Sequence, residues 1–204
     1  MVRALVVYYS SSGTTKQVAD VVVAELQKNN ITTVVEVIKC TKAEGVGMAR
    51  QGFRCLTGSK YVLDNPPQND PREFEFVLFG SPVWAFNVNP ILDEWLKAAQ
   101  FDPIKTNFGA FIQCMGTKFE KTFTEIEKIT GKPLAAKTPV FSKEVKKSPE
   151  IVAKKIEDLV KGVIQGGTAQ PAENVVEGAV AKTEETKKED DKPEDVKTEE
   201  AKTE

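Results

Sequence analysis

Apolar, β-rich runs and runs with helical spacing alternate along this chain five times, and few folds satisfy that alternation. Residues 3–9 are apolar and β-rich, and predict a strand. Residues 14–29 repeat apolar side chains at helical spacing, with Val18, Val21, Val22 and Leu26 on one face. Residues 32–39 predict a second strand, with Val35, Val37 and Cys40 in the opposite phase to Glu36. A short helix is expected at 46–56, where each interior glycine weakens it by about 1 kcal/mol. Residues 64–71 hold Asn65-Pro66-Pro67 and Asn69-Asp70-Pro71, so they form turns. Strands are then expected at 75–79, 107–114 and 134–141. Helices are expected at 90–99, 119–130 and 149–164, the last with Ser148 as its cap. Regular βα alternation implies an α/β fold: a doubly wound, five-stranded parallel sheet with helices on both faces. Right-handed crossovers leave few topologies for it.

The first strand runs into Tyr9-Ser10-Ser11-Ser12-Gly13-Thr14-Thr15, and a helix follows. The first N–H groups of a helix have no partner within it, and the helix dipole adds partial positive charge there. An anion at that point accepts those N–H groups. Ser10, Ser11, Ser12, Thr14 and Thr15 offer hydroxyl donors, and Gly13 lets the backbone come close. No Lys-Ser/Thr pair follows the glycine, and no G-x-G-x-x-G is present, so neither a P-loop nor a dinucleotide fingerprint applies. The loop suits a terminal phosphate that is held and not transferred. The alternative is an ordinary strand-to-helix turn with Ser or Thr as N-cap.

The pattern Val6-Val7-Tyr8-x-Ser10-x-x-Gly13-x-Thr15-x-x-x-Ala19-x-Val21 resembles the flavodoxin signature. That resemblance spans roughly residues 3–165 in element order. It implies a flavodoxin-like strand order of 2-1-3-4-5, with the first loop gripping the phosphate of FMN. It also marks two further loops. Gly80-Ser81-Pro82-Val83-Trp84 is similar to the loop that borders the isoalloxazine in flavodoxin-like oxidoreductases, which makes Ser81, Pro82, Val83 and Trp84 candidates for cofactor contact. Trp84 either lays its indole against the flavin ring or is a core aromatic. Phe86 stands where relatives often have glycine. The loop after strand four brings Met115, Gly116, Thr117 and Lys118 to the flavin by position. Electron-carrier flavodoxins often place an aromatic and acidic residues there, whereas this chain has a lysine. Lys118 either favours the reduced, anionic flavin by Coulomb attraction or is a solvated surface lysine.

Composition narrows the chemistry. The 204 residues include no histidine, which removes Ser-His-Asp and Cys-His catalysis and histidine metal sites. A cofactor that carries its own chemistry fits such a chain. Cys40, Cys55 and Cys114 lie far apart, so no disulfide framework or cysteine zinc site is suggested, and a cytoplasmic, reducing compartment fits. No apolar run reaches membrane-span length, the N-terminal apolar stretch reads as a strand, and no membrane association is expected. Residues 1–166 carry 22 basic and 18 acidic side chains, while residues 167–204 carry 6 and 12. The fold is thus mildly basic and the tail acidic. No basic stripe interleaved with aromatics supports nucleic-acid binding.

These features point to an FMN-binding flavodoxin-like redox protein at 1–166, serving a redox partner protein or NAD(P)H. The alternatives are an NAD(P)H-dependent flavin or quinone oxidoreductase and a flavin-free module that acts by protein contact. Residues 167–204 predict an acidic, low-complexity, disordered tail, because Val196 is the only large apolar residue from 182 onward. Truncation after Gly166 is expected to leave the melting temperature and the flavin content nearly unchanged. A large drop in either would show that the tail packs on the domain.

Overall fold

The structure is a computed structural model and describes residues 1–43, 61–116 and 118–166. The helix expected at 46–56, the tail at 167–204 and Thr117 lie outside the described residues. The strands are β1 (Arg3–Tyr8), β2 (Thr32–Val37), β3 (Phe76–Pro82), β4 (Asn107–Cys114) and β5 (Ala136–Phe141). They pair in parallel in the order β2-β1-β3-β4-β5. The helices are α1 (Thr14–Lys28), α2 (Pro90–Ala98), α3 (Glu120–Thr130), α4 (Ser142–Lys147) and α5 (Pro149–Ile164).

Alternation along β1 divides the core in two. Leu5 and Val7 face one way, and Ala4, Val6 and Tyr8 the other; all are buried. On the first face, α2 packs Ile91, Leu92, Trp95 and Leu96, and α3 packs Phe123 and Ile126. On the second, α1 packs Val18, Val22 and Leu26, and α5 packs Ile156, Val160 and Val163. The chain steps from β1 to β2 in one direction and from β3 to β5 in the other. Right-handed crossovers therefore put α1 on the opposite face from α2 and α3. A strand buried on both faces must be apolar throughout, which is why residues 3–8 read so clearly in the sequence.

β2 departs from its hydrophobic pattern. Apolarity alone would turn Val35 and Val37 inward. Instead both are about half exposed, and Glu36 is buried. Hydrogen bonding explains the inversion. The Glu36 carboxylate accepts the Gln68 N–H at 3.0 Å and the Trp95 indole N–H at 2.7 Å on one oxygen. The other oxygen accepts the Asn69 N–H at 3.0 Å and its side-chain amide at 2.8 Å. Four donors offset the desolvation of the charge, and the carboxylate ties the 64–71 connection to α2.

Two other expectations are corrected. Ser148 makes no side-chain cap to α5, because it sits in a tight junction where its N–H bonds the Glu144 carbonyl at 2.8 Å. The helix α4 was not expected at all; its six residues are too few to show a period. Its Glu144 carboxylate accepts the Phe141 N–H at 2.9 Å and so fixes its first turn. At the start of α2, the Asn89 side chain accepts the Ile91 N–H at 2.9 Å, with Pro90 in the first turn.

Glu36→Val should cost about 3 kcal/mol in urea unfolding, because it strands buried donors. Trp95→Phe should then cost much less in that background than in the wild type. Strict additivity of the two changes would mean that the Glu36–Trp95 bond contributes nothing.

Candidate functional site

The directions of the connections part at β1 and β3, and this is where a crevice opens at the C-terminal ends of the strands. Ladder bonds carry the strand order into the loops. Tyr9 N–H bonds the Gly80 carbonyl at 3.0 Å, and Val83 N–H bonds the Gln113 carbonyl at 2.9 Å. Together with α4, the loops after β1, β3 and β4 enclose a cavity of about 610 Å³. That is the size of a small-molecule site.

One end of the cavity is formed by Ser11, Ser12, Thr14 and Thr15. Gly13 precedes α1 with φ +82°, a conformation that favours glycine. No side chain of the N-cap residue closes the helix. Ser10 does not line the cavity; its hydroxyl accepts the Lys16 N–H at 3.2 Å and holds the turn. Among the described residues the backbone N–H groups of Thr14 and Thr15 have no protein partner. Ser12 and Thr14 place their hydroxyls 3.2 Å apart beside them. Two free N–H groups, nearby hydroxyls and the positive end of a helix dipole together make a setting that suits an anion.

The other end is formed by Pro82, Val83, Trp84, Ala85 and Phe86. Pro82 lies at the end of β3, which runs three residues further than the 75–79 expected from sequence. Ser81 is fully buried within β3, with its hydroxyl donating to the Pro82 carbonyl at 3.0 Å, and it does not line the cavity. Trp84 is 9% exposed and belongs to the same core as Val88 and Ile91. Its ring meets Tyr9 edge-on at 5.9 Å. Trp84 is thus a core aromatic that also walls the cavity. Ala85 and Phe86 have φ of +48° and +64° in the turn closed by the Asn87 N–H to the Trp84 carbonyl at 3.0 Å. Such a turn favours Asn-Gly, and the left-handed region costs about 1–2 kcal/mol for other residues. This strained turn holds Phe86 out in solvent, with the Lys118 Nζ 5.5 Å from its ring centre.

Met115, Gly116 and Lys118 line the cavity from the loop after β4, joined by Gln113 and Cys114. Burial pushes the Cys114 thiol up to about 11, with Lys155 opposing, so at neutral pH it is a protonated thiol and a poor nucleophile. Sequence reasoning missed Ser142 and Lys146, both on α4. The Gln113 side-chain amide donates to the Ser142 hydroxyl, which in turn donates to the Cys114 carbonyl at 3.5 Å and docks α4 against β4. Among the described residues no carboxylate lines the cavity, whereas two lysines do. The arrangement accommodates an anion at one end and a flat, apolar group at the other. Among the described residues no cluster of acidic or cysteine side chains could hold a metal ion, and no helix is long and apolar enough to cross a membrane.

No family model matches the sequence, and no curated protein sequence matches it. Solved structures do. A candidate flavoprotein of Bacteroides uniformis superposes with TM-score 0.62 at 17% identity, over 76% of this chain and 98% of its own. A flavodoxin of Streptococcus pneumoniae gives 0.54 at 13% identity, over 80% and 98%. A flavoprotein of Lactobacillus acidophilus, solved in complex with FMN, gives 0.50 at 21% identity, over 72% and 98%.

Because Trp84 packs in the core with Val88 and Ile91, Trp84→Leu should cost the flavin-free protein about 2 kcal/mol in urea unfolding. An unchanged unfolding midpoint would make Trp84 a surface wall and not a core residue.

Proposed function

We propose that this chain, which has the flavodoxin-like fold, binds FMN in the cavity at the C-terminal sheet edge and passes electrons through it. The observation that carries this reading is the pair of free N–H groups at Thr14 and Thr15, set among hydroxyls at one end of a cavity walled at the other by Trp84. Thr14 and Thr15 would donate backbone N–H bonds to the phosphate, with Ser11, Ser12 and Thr14 hydroxyls beside them. Trp84 would cover the ring system, and Gly116 lets the backbone approach its polar edge. Bound FMN would supply the redox chemistry itself. Lys118 and Lys146 favour whichever state of a bound group carries more negative charge. The fold shared with an FMN complex supports the reading, as does the fit of the residues. Cys114 is a free thiol, in keeping with a cytoplasmic setting.

The cations at the cavity favour a second reading, an NAD(P)H-dependent oxidoreductase. Bleaching of the flavin absorbance by NADH or NADPH would select it, and resistance to both would select a carrier. A colourless purified protein that takes up no FMN would leave only the flavin-free module.

Replacing Ser12 and Thr14 together with Ala should weaken FMN by roughly a hundredfold or more and leave riboflavin nearly unaffected. Each hydrogen bond to a charged group is worth about 1.5–3 kcal/mol. Equal weakening of both ligands in a fluorescence titration would mean that this loop does not hold the phosphate.

A further inference from the structure

The charge around the cavity mouth is one-sided. The segments that form it, residues 9–14, 82–89, 115–119 and 142–147, contain Lys118, Lys143, Lys146 and Lys147 and a single carboxylate, Glu144. Glu144 is engaged: both of its oxygens lie 2.8 Å from the Lys155 Nζ, and one also accepts the Phe141 N–H. Among the described residues none of the four mouth lysines joins an ion pair. Elsewhere among the described residues Lys16, Lys97, Lys121, Lys137, Lys154 and Lys161 join ion pairs, whereas Lys105, Lys128 and Lys132 do not. The mouth therefore presents four lysines without an ion-pair partner among the described residues, with Glu120, whose charge acts on Cys114, at its border.

Their placement indicates the size of what they meet. Lys118 and Lys146 line the cavity, whereas Lys143 and Lys147 are exposed on α4 outside it. The positive field extends past the dimensions of a ligand held inside. Phe86 and Met115 stand at the same mouth, 61% and 74% exposed. Exposed apolar side chains with charges around them form the usual layout of a transient protein interface. A nucleic-acid strand would call for a row of stacking rings, and Phe86 is the only exposed ring among the described residues of these segments.

We propose that the cavity mouth is a docking surface for a protein with an acidic face. The lysines steer the encounter, and Phe86 and Met115 fill the dry centre of the contact. The occupant's role as an electron partner rests on the FMN reading above; the docking itself does not. A carrier built this way would meet acidic partners and repel basic ones.

The test uses the full chain reconstituted with FMN. Binding of an acidic plant-type ferredoxin is measured by titration calorimetry at low and at high ionic strength, with basic cytochrome c as the opposite probe. The wild type should bind ferredoxin at low salt, lose it at high salt, and ignore cytochrome c. Lys143→Glu with Lys147→Glu, neither lining the cavity, should weaken ferredoxin roughly tenfold and keep the FMN affinity of the wild type. The Gln pair at the same positions should give a smaller loss in the same direction, which guards against a folding defect in α4. The proposal is overturned by any of four results: no ferredoxin binding at low salt, equal binding by wild type and variants, tighter binding of cytochrome c, or equal competition by an RNA oligonucleotide. Failure of the wild type to take up FMN would sink the cofactor reading instead, and the ferredoxin titration of the flavin-free chain would still decide the docking surface.

Discussion

The free backbone N–H groups of Thr14 and Thr15 are the constraint around which the functional end of this molecule is arranged. A helix start needs acceptors, and here the chain withholds them. Gly13 turns the backbone with φ +82° and brings no side chain to cap the helix. The Ser10 hydroxyl bonds one residue further in, at Lys16. The cost of the open helix end is borne by the fold because α1 is anchored elsewhere, through Val18, Val22 and Leu26 against β1 and its neighbours. Stability is generated in the two cores, and an unsatisfied polar end is kept where a ligand can reach it.

A similar division holds at the opposite end of the cavity. The Ala85–Phe86 turn is strained, and it is tolerated because Trp84 on one side and Val88 on the other are locked into the core beneath α2. The strain fixes an aromatic ring in solvent beside Lys118. The cavity wall is therefore an extension of the core and not an appended loop.

Much of this was legible in the sequence. Strand β4 and the span of α5 were readable to the residue, because a fully buried strand and an amphipathic helix leave strong periodic marks. The strand order followed from handedness and the resemblance to flavodoxins together. Other features left no local mark. Glu36 is buried because distant partners, Gln68, Asn69 and Trp95, converge on it, and nothing in the neighbouring residues encodes that convergence. Helix α4 is one and a half turns long and is stabilised by the Glu144–Lys155 pair across to α5, so its lysines reached the cavity unannounced. The position of Trp84 beside the first loop pointed to a cofactor wall, whereas the structure shows a core residue that also lines the cavity, since a residue at a strand end can be both. Ser81 shows the reverse case: it sits inside a motif that pointed to the site, yet its side chain lies on a buried face of the sheet.

The central claim, that the open start of α1 holds the phosphate of FMN, is tested most directly by amide NMR of the full chain titrated with FMN and, separately, with riboflavin. The N–H signals of Thr14 and Thr15 should move downfield with FMN and stay in place with riboflavin, as expected for donors that gain a charged acceptor. The indole signal of Trp84 should respond to both ligands. Identical Thr14 and Thr15 shifts with the two ligands, or none with either, would contradict the account.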